Sequence, residues 1–178
     1  MGDEHTPSEM AEHDEAAAER MRNLQEVDAN IAHGYDAIAT TMTNLGYEEI
    51  ADNAESSAHK YDHDSVAAKY SAEAYEGAAK SWHEVEHDLS EQARLTGDMY
   101  GAQATAAGAH QAITGAHDIT DVQRTELELI AAREDASTHV YQERAAAEGK
   151  EAFDDTQHAQ ALEASARLGD PESGLQNP

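Results

Sequence analysis

The chain has 178 residues and a net charge of −26, with 37 acidic and 11 basic side chains, 11 histidines and no cysteine. Such a charge argues against direct binding to nucleic acid or to an anionic membrane surface, since both attract cationic proteins. The absence of cysteine excludes disulfide bonds and thiolate metal ligands.

The interior of the sequence favours helix throughout. The only prolines are Pro7, Pro171 and Pro178, and alanine, the best helix former, is abundant. Leu, Ile, Val and Phe make up only about 12 % of the chain, a proportion that with high charge is typical of disorder. Because these residues are periodic, we instead predict an all-α fold without β-sheet, in which long amphipathic helices form a hairpin or bundle with coiled-coil-like heptad seams.

The first predicted helix covers residues 7–45, after a flexible segment 1–6. Thr6 and Glu9 have the spacing of a capping box, and Gly46 suits a left-handed C-terminal cap. The apolar residues of this helix recur every seven positions, with Asp28 as a charged interruption of the second set. The two sets are Leu24, Ile31, Ile38 and Leu45, and Met21, Tyr35 and Met42.

The next stretch is predicted to form two helices, 47–61 and 64–95. The polar residues from Asp62 to Ser65 suggest a break between them, and Leu95–Asp98 suggests the end of the second. Small and aromatic residues alternate along this stretch at a spacing of seven, as expected for interdigitating helices. The series is Tyr47, Ala54, Tyr61, Ala68, Tyr75, Trp82 and Leu89.

Three further helices are predicted over 99–117, 121–148 and 150–168. Gly101, Gly108 and Gly115 share one heptad position, which suggests close approach of another helix backbone, or else a weak, frayed helix. A last helix carrying Val122, Leu129, Ile130, Ala136, Val140 and Tyr141 is expected to begin after a Thr120–Gln123 capping box and to kink at Gly149. Residues 7–168 are thus interpreted as one domain, and 169–178 as a flexible tail.

Two histidine pairs have the spacing of metal ligands on a helix. His59 with His63, and His83 with His87, lie four residues apart, so each pair presents two imidazoles on one face. With Glu84, these four histidines form a candidate site for a divalent transition metal such as zinc or iron. The alternative is that they are solvated helix residues, with no cofactor.

His83–His87 also matches the zinc peptidase pattern HExxH, in which Glu84 would activate a metal-bound water. The extended form of that pattern is absent because Ser90 and Ala93 stand where it requires Gly and His. No strand is predicted that would hold a substrate beside the helix. We interpret the match as a coincidence and predict that the protein is not an enzyme.

The favoured functional hypothesis is an acidic interaction or structural protein that acts through helix packing and associates with itself or with a basic protein. The alternative hypothesis is the helical metal-binding protein, and a third is a charge mimic of nucleic acid. The acidity is also consistent with a salt-rich cytoplasm. The first residues lack the basic and apolar regions of a secretory signal, and no apolar run reaches the roughly 18 residues of a membrane span. A cytoplasmic location is therefore predicted.

Overall fold

A computed structural model describes residues 5–115 and 119–170. The all-α prediction is confirmed: three long helices pack against each other, and the described residues form no strand. Helix α1 spans Pro7–Asn44, α2 spans Glu48–Gly115 and α3 spans Asp121–Arg167. The predicted ends at residues 1–4 and 171–178, and the last two residues of the predicted helix 99–117, lie outside the described residues.

Local signals set the helix ends as predicted. Thr6 and Glu9 form a complete capping box at the start of α1, and Thr120 and Gln123 exchange the same contacts before α3. Gly46 ends the α1 region with a φ of 78°, a backbone angle that costs little only in glycine. The predicted starts at residues 7, 47 and 121 and the predicted ends at 45 and 168 agree with the structure to within one residue.

The breaks predicted near residues 62–65 and 95–98 are absent, and α2 is continuous through both. The Ser65 hydroxyl does not cap a new helix; it donates to the carbonyl oxygen of Gln25 in α1, 3.1 Å away. Across residues 95–98, Leu95 is fully buried, and Arg94 forms ion pairs with Glu91 and Asp98. Burial of the Leu95 side chain offsets the roughly 1 kcal/mol that Gly97 costs inside the helix, and the helix is continuous here. The six predicted helices therefore correspond to three helices in the structure.

The glycine predictions also need correction. An added Cβ would meet nothing within 4 Å at Gly101, Gly108 or Gly115, so these residues make no close helix contact, and the helix nevertheless runs through to Gly115. At Gly149 an added Cβ would collide with the side-chain amide of Gln92, and at Gly169 it would lie 3.1 Å from the backbone carbonyl oxygen of Ala67. Helix α3 continues through Gly149 to Arg167, so the predicted division into helices 121–148 and 150–168 is absent.

The described chain comprises two compact units. The first unit contains residues 5–83 and 156–170, and the second contains 84–115 and 119–155. Helices α2 and α3 contribute to both units, whereas α1 belongs to the first alone. The prediction of a single domain remains a prediction.

Alanine dominates the core. Of the 24 buried apolar residues described, 19 are alanine, and the others are Met21, Tyr75, Trp82, Val85 and Leu95. The main apolar cluster joins all three helices within the first unit, and it consists of Ala17, Ala18, Met21, Ala68, Ala72, Tyr75 and Ala166. Helices that meet through alanine bring their backbones close together and bury little area per residue.

The larger apolar residues predicted along α3 do not form its packed face. Val122, Leu129 and Val140 are more than half exposed. The buried apolar residues described on α3 are instead alanines that lie seven or fourteen residues apart, because the close approach of α2 leaves room for little more than a methyl group. These are Ala131, Ala145, Ala152, Ala159 and Ala166.

Candidate functional site

The predicted histidine site is spread over exposed positions. His59 and His63 lie on α2 in the first unit with side chains 79 % and 86 % exposed, each 3.9 Å from a carboxylate oxygen, of Glu55 and Asp64 respectively. His59 lines a shallow groove of about 250 Å³ between α1 and α2, together with His33, Asp36 and Asp62.

The HExxH motif, residues 83–87, lies within α2. His83 is exposed, and its Nε2 lies 3.2 Å from Glu15 Oε1 on α1. Glu84 and His87 are also exposed. None of the five predicted ligands belongs to a group of three or more potential ligand side chains that meet among the described residues. The histidine site therefore remains a prediction.

A group of potential metal ligands that does meet lies in the second unit. Asp88 on α2 and Glu148 and Glu151 on α3 place carboxylate oxygens within 4.8 Å of one another; we call these three residues the acidic cluster. Glu148 and Glu151 are three residues apart, so their side chains project from adjacent turns of one helix face. The contact between Gly149 and Gln92, one turn after Asp88, brings the two helices together at this level.

Asp88 is the buried member of the acidic cluster. It is 7 % exposed, whereas Glu148 is half-buried and Glu151 is exposed. Burial raises the pKa of Asp88, and the negative charges of Asp155 and Glu151 raise it further, while His87 acts in the opposite direction. The carboxylate group is thus held in a position that disfavours its charged form.

A second group of buried polar side chains lies in the first unit. Asp14 on α1 is fully buried, and its Oδ2 has no hydrogen-bond partner among the described residues. Burial, followed by the neighbouring carboxylate of Glu163, raises the pKa of Asp14 to about 6, against the opposing effect of His13. Glu163 accepts hydrogen bonds from Trp82 Nε1 at 2.8 Å and from Arg167 Nη2 at 3.1 Å.

The same unit holds a buried carboxylate at the end of α3. Asp170 is 5 % exposed, and its Oδ2 accepts hydrogen bonds from Arg20 Nη2 at 2.6 Å and from Tyr75 Oη at 3.2 Å. Burial and the nearby Asp170 charge raise the pKa of Tyr75 to about 12. These contacts tie α1, α2 and the end of α3 together, and we assign them a structural role.

Sequence reasoning missed the acidic cluster, although a signal for it exists. The heptad position that is buried on α2 changes along the helix. Ala68, Tyr75 and Trp82 are buried, but Leu89, the next residue of that series, is 44 % exposed, and the preceding residue, Asp88, is buried instead. The later series is Asp88, Leu95, Ala102 and Ala109. A charged residue in a series of buried positions is an unusual feature that points to a site.

Comparisons with known proteins found no match to any protein-family model, curated protein or solved structure. Within residues 5–115 and 119–170, none of the helices contains a segment apolar and long enough to span a bilayer.

Proposed function

We propose that the chain is a non-enzymatic, acidic helical protein that acts by packing its helices against another protein, and that this partner is a second copy of itself. The observation that carries the proposal lies where α1 ends and α2 begins; we call residues 37–50 the hairpin end. Four large apolar side chains there are between 44 % and 63 % exposed, and they are Ile38, Leu45, Tyr47 and Ile50.

Two of these residues continue a heptad series that is half-buried further back along α1. Leu24 and Ile31 belong to the same series and are half-buried, whereas Ile38 and Leu45 are exposed. The change occurs because, among the described residues, α3 contacts the N-terminal half of α1. The apolar seam therefore extends past the helix that covers it, and a helix from another chain can complete it as a coiled-coil-like contact.

Most of the hairpin end is free of charge, whereas the rest of the chain is strongly acidic; its acidic residues are Glu48 and Glu49 at the start of α2. From residue 37 to residue 47 there is no Asp, Glu, Lys or Arg. Two copies that each carry a charge of −26 repel one another, and the repulsion is least where neither presents a charged side chain. A two-fold contact between hairpin ends places the same apolar surface on both sides of the interface.

Sedimentation analysis over a concentration series in molar KCl tests the proposal. We expect the wild type to form a dimer and Ile38→Asp to remain monomeric with unchanged helicity, because the substitution puts a charge into the interface of each copy. The matched control is Gln103→Asp, which adds the same charge at an exposed position in another uncharged stretch of α2. A monomeric wild type, or equal dimerisation of both variants, would contradict the proposal.

The runner-up function is a helical protein that binds zinc or iron through His59, His63, His83, Glu84 and His87. We prefer the interaction function because exposed apolar residues are clustered at the hairpin end, whereas the histidines are dispersed along the exposed face of α2. We also propose a cytoplasmic location, where concentrated salt would screen the repulsion between acidic copies.

A further inference from the structure

We propose that the acidic cluster of Asp88, Glu148 and Glu151 is a calcium site. The argument begins with Asp88, a carboxylate that is more than nine-tenths buried. Among the described residues it accepts no hydrogen bond and forms no ion pair, and its oxygen faces the oxygens of Glu148 and Glu151. A buried carboxylate without a partner is costly, and a cation bound between the three side chains removes that cost.

The surrounding carboxylates show how this unit treats negative charge elsewhere. Glu91 and Asp98 both pair with Arg94. Lys150, although adjacent to Glu151, donates to Asp154 at 2.9 Å. Within the described chain, no lysine or arginine forms an ion pair with a member of the acidic cluster. Yet Asp88, which belongs to that cluster, is more buried than any of the paired carboxylates named above. Arg94 and Lys150 therefore pair with carboxylates that are less buried than Asp88.

The donor set selects the kind of cation. Three carboxylates offer hard oxygen ligands and a total charge of −3, which suits calcium or magnesium better than zinc or iron. Further negative charge comes from Asp155 and Glu84, both close enough to raise the pKa of Asp88. Water molecules would complete the roughly six to eight oxygen ligands that calcium takes.

The spacing favours calcium over magnesium. Calcium binds oxygen at about 2.3–2.6 Å, so two of its ligands on opposite sides are about 5 Å apart, whereas magnesium ligands are at most about 4.2 Å apart. The oxygens of the acidic cluster lie within 4.8 Å of one another, so they already fit around calcium. Magnesium would require all of these oxygens to lie within about 4.2 Å of one another.

Equilibrium dialysis with radioactive calcium tests the site in 1 M KCl, where loose binding to exposed carboxylates is screened. We expect the metal-free protein to bind one calcium per chain with a Kd below about 1 mM, the weak end of protein calcium sites. Magnesium at the same concentration as calcium should displace little of the bound calcium. Failure of the wild type to bind calcium at this strength would overturn the proposal.

Two variants locate the site, and a third is the matched control. Asp88→Asn and Glu151→Gln each remove one ligand charge, and each should weaken calcium binding by more than the roughly 10–100-fold that an outer-shell partner is worth. Glu128→Gln removes the same charge from an exposed position on α3 outside the cluster, and should bind as the wild type does. Equal losses in all three variants, or wild-type affinity in Asp88→Asn, would show general attraction to the acidic surface and contradict the site.

Thermal unfolding gives a readout that is independent of dialysis. Calcium should raise the melting temperature of the wild type, since a ligand of the folded state stabilises it. In Asp88→Asn the calcium-free protein should melt higher than the calcium-free wild type, because the buried charge is gone, and added calcium should raise its melting temperature no further. Glu151→Gln, changed at an exposed residue, tests the site even if Asp88→Asn were to misfold.

Discussion

The two halves of α1 share one heptad series of apolar residues but have different surroundings. Its N-terminal half contacts both α2 and α3, and it buries Met21 and the carboxylate of Asp14 almost completely. Its C-terminal half pairs with α2, through the stacked rings of Tyr35 and Tyr61 at 5.8 Å between centroids, and leaves Ile38 exposed. The same heptad pattern therefore serves as core in one half and as accessible surface in the other.

The comparison shows that a heptad pattern specifies an apolar face and leaves open what covers it. Where α3 lies against α1, the pattern contributes to the stability of the first unit. Where α3 does not reach, the pattern contributes little to stability and is available for association. Substitutions in the two halves should therefore separate stability from assembly.

The largest effect is expected for a charge placed in each half. Met21→Asp should cost more than about 4 kcal/mol of unfolding free energy, because it buries an unpaired carboxylate in the core that joins all three helices. Ile38→Asp should change the stability of the monomer by less than about 1 kcal/mol, as is usual for surface positions.

Urea unfolding of both variants, at a concentration where the wild type is monomeric, measures this difference. Similar costs at the two positions would mean that the C-terminal half of α1 is as well covered as the N-terminal half, and the comparison would fail.

The next largest effect is the pH dependence of stability that arises in the N-terminal half of α1, which α3 covers. The pKa of Asp14 is about 6 in the folded protein and 3.8 as its reference value, so folding favours its protonated form. The corresponding stability is fully present below pH 3.8 and is lost as the pH rises through 6, with a total of up to about 3 kcal/mol. Stability should hence increase as the pH falls from 7 to 5.

Asp14→Asn isolates this contribution from the general relief of charge repulsion on acidification. The variant should be more stable than the wild type at pH 7, and the gain should shrink towards pH 4. Thermal melts across this range provide the measurement, and a gain that is constant with pH would show that Asp14 has an ordinary pKa.

The smallest effect compares two glycines of the first unit. Gly34, in the C-terminal half of α1, has nothing within 4 Å of an added Cβ, so Gly34→Ala should stabilise by up to about 1 kcal/mol through helix propensity. At Gly77 on α2 the added Cβ would lie 3.0 Å from Leu162 Cδ1, and the side chain of Leu162 would have to move.

Gly77→Ala should accordingly gain less than Gly34→Ala or lose stability. Chemical denaturation of the two single variants and the wild type is sufficient to rank them. A larger gain at Gly77 would show that α2 and α3 are not closely packed at this level.

The parts of the fold that the sequence predicted correctly depend on residues close together in the chain. The Thr6–Glu9 capping box acts across three residues, and Gly46 acts through its own backbone angle. The missed parts depend on distant contacts: Ser65 reads as a cap, but its hydroxyl bonds to Gln25. Such partners lie on another helix and leave no local pattern.

The acidic cluster was missed for the same reason. The heptad series through Trp82 identifies Leu89 as the next buried residue, whereas the structure buries Asp88. Among the described residues, the second unit contains α2 and α3 but no part of α1, so in that unit contact with α3 decides which face of α2 is buried. The histidine pairs were conspicuous in the sequence because their partners are four residues apart, a separation that says nothing about burial.

The alanine core has a consequence for how the helices are aligned along their axes. Sliding α3 by seven residues exchanges Ala145, Ala152, Ala159 and Ala166 with one another, so methyl packing alone hardly distinguishes one register from the next. Trp82 can donate to Glu163, and Tyr75 to Asp170, in one register only. The buried polar pairs therefore fix the alignment that the alanines leave undetermined, as a polar core residue does in a coiled coil.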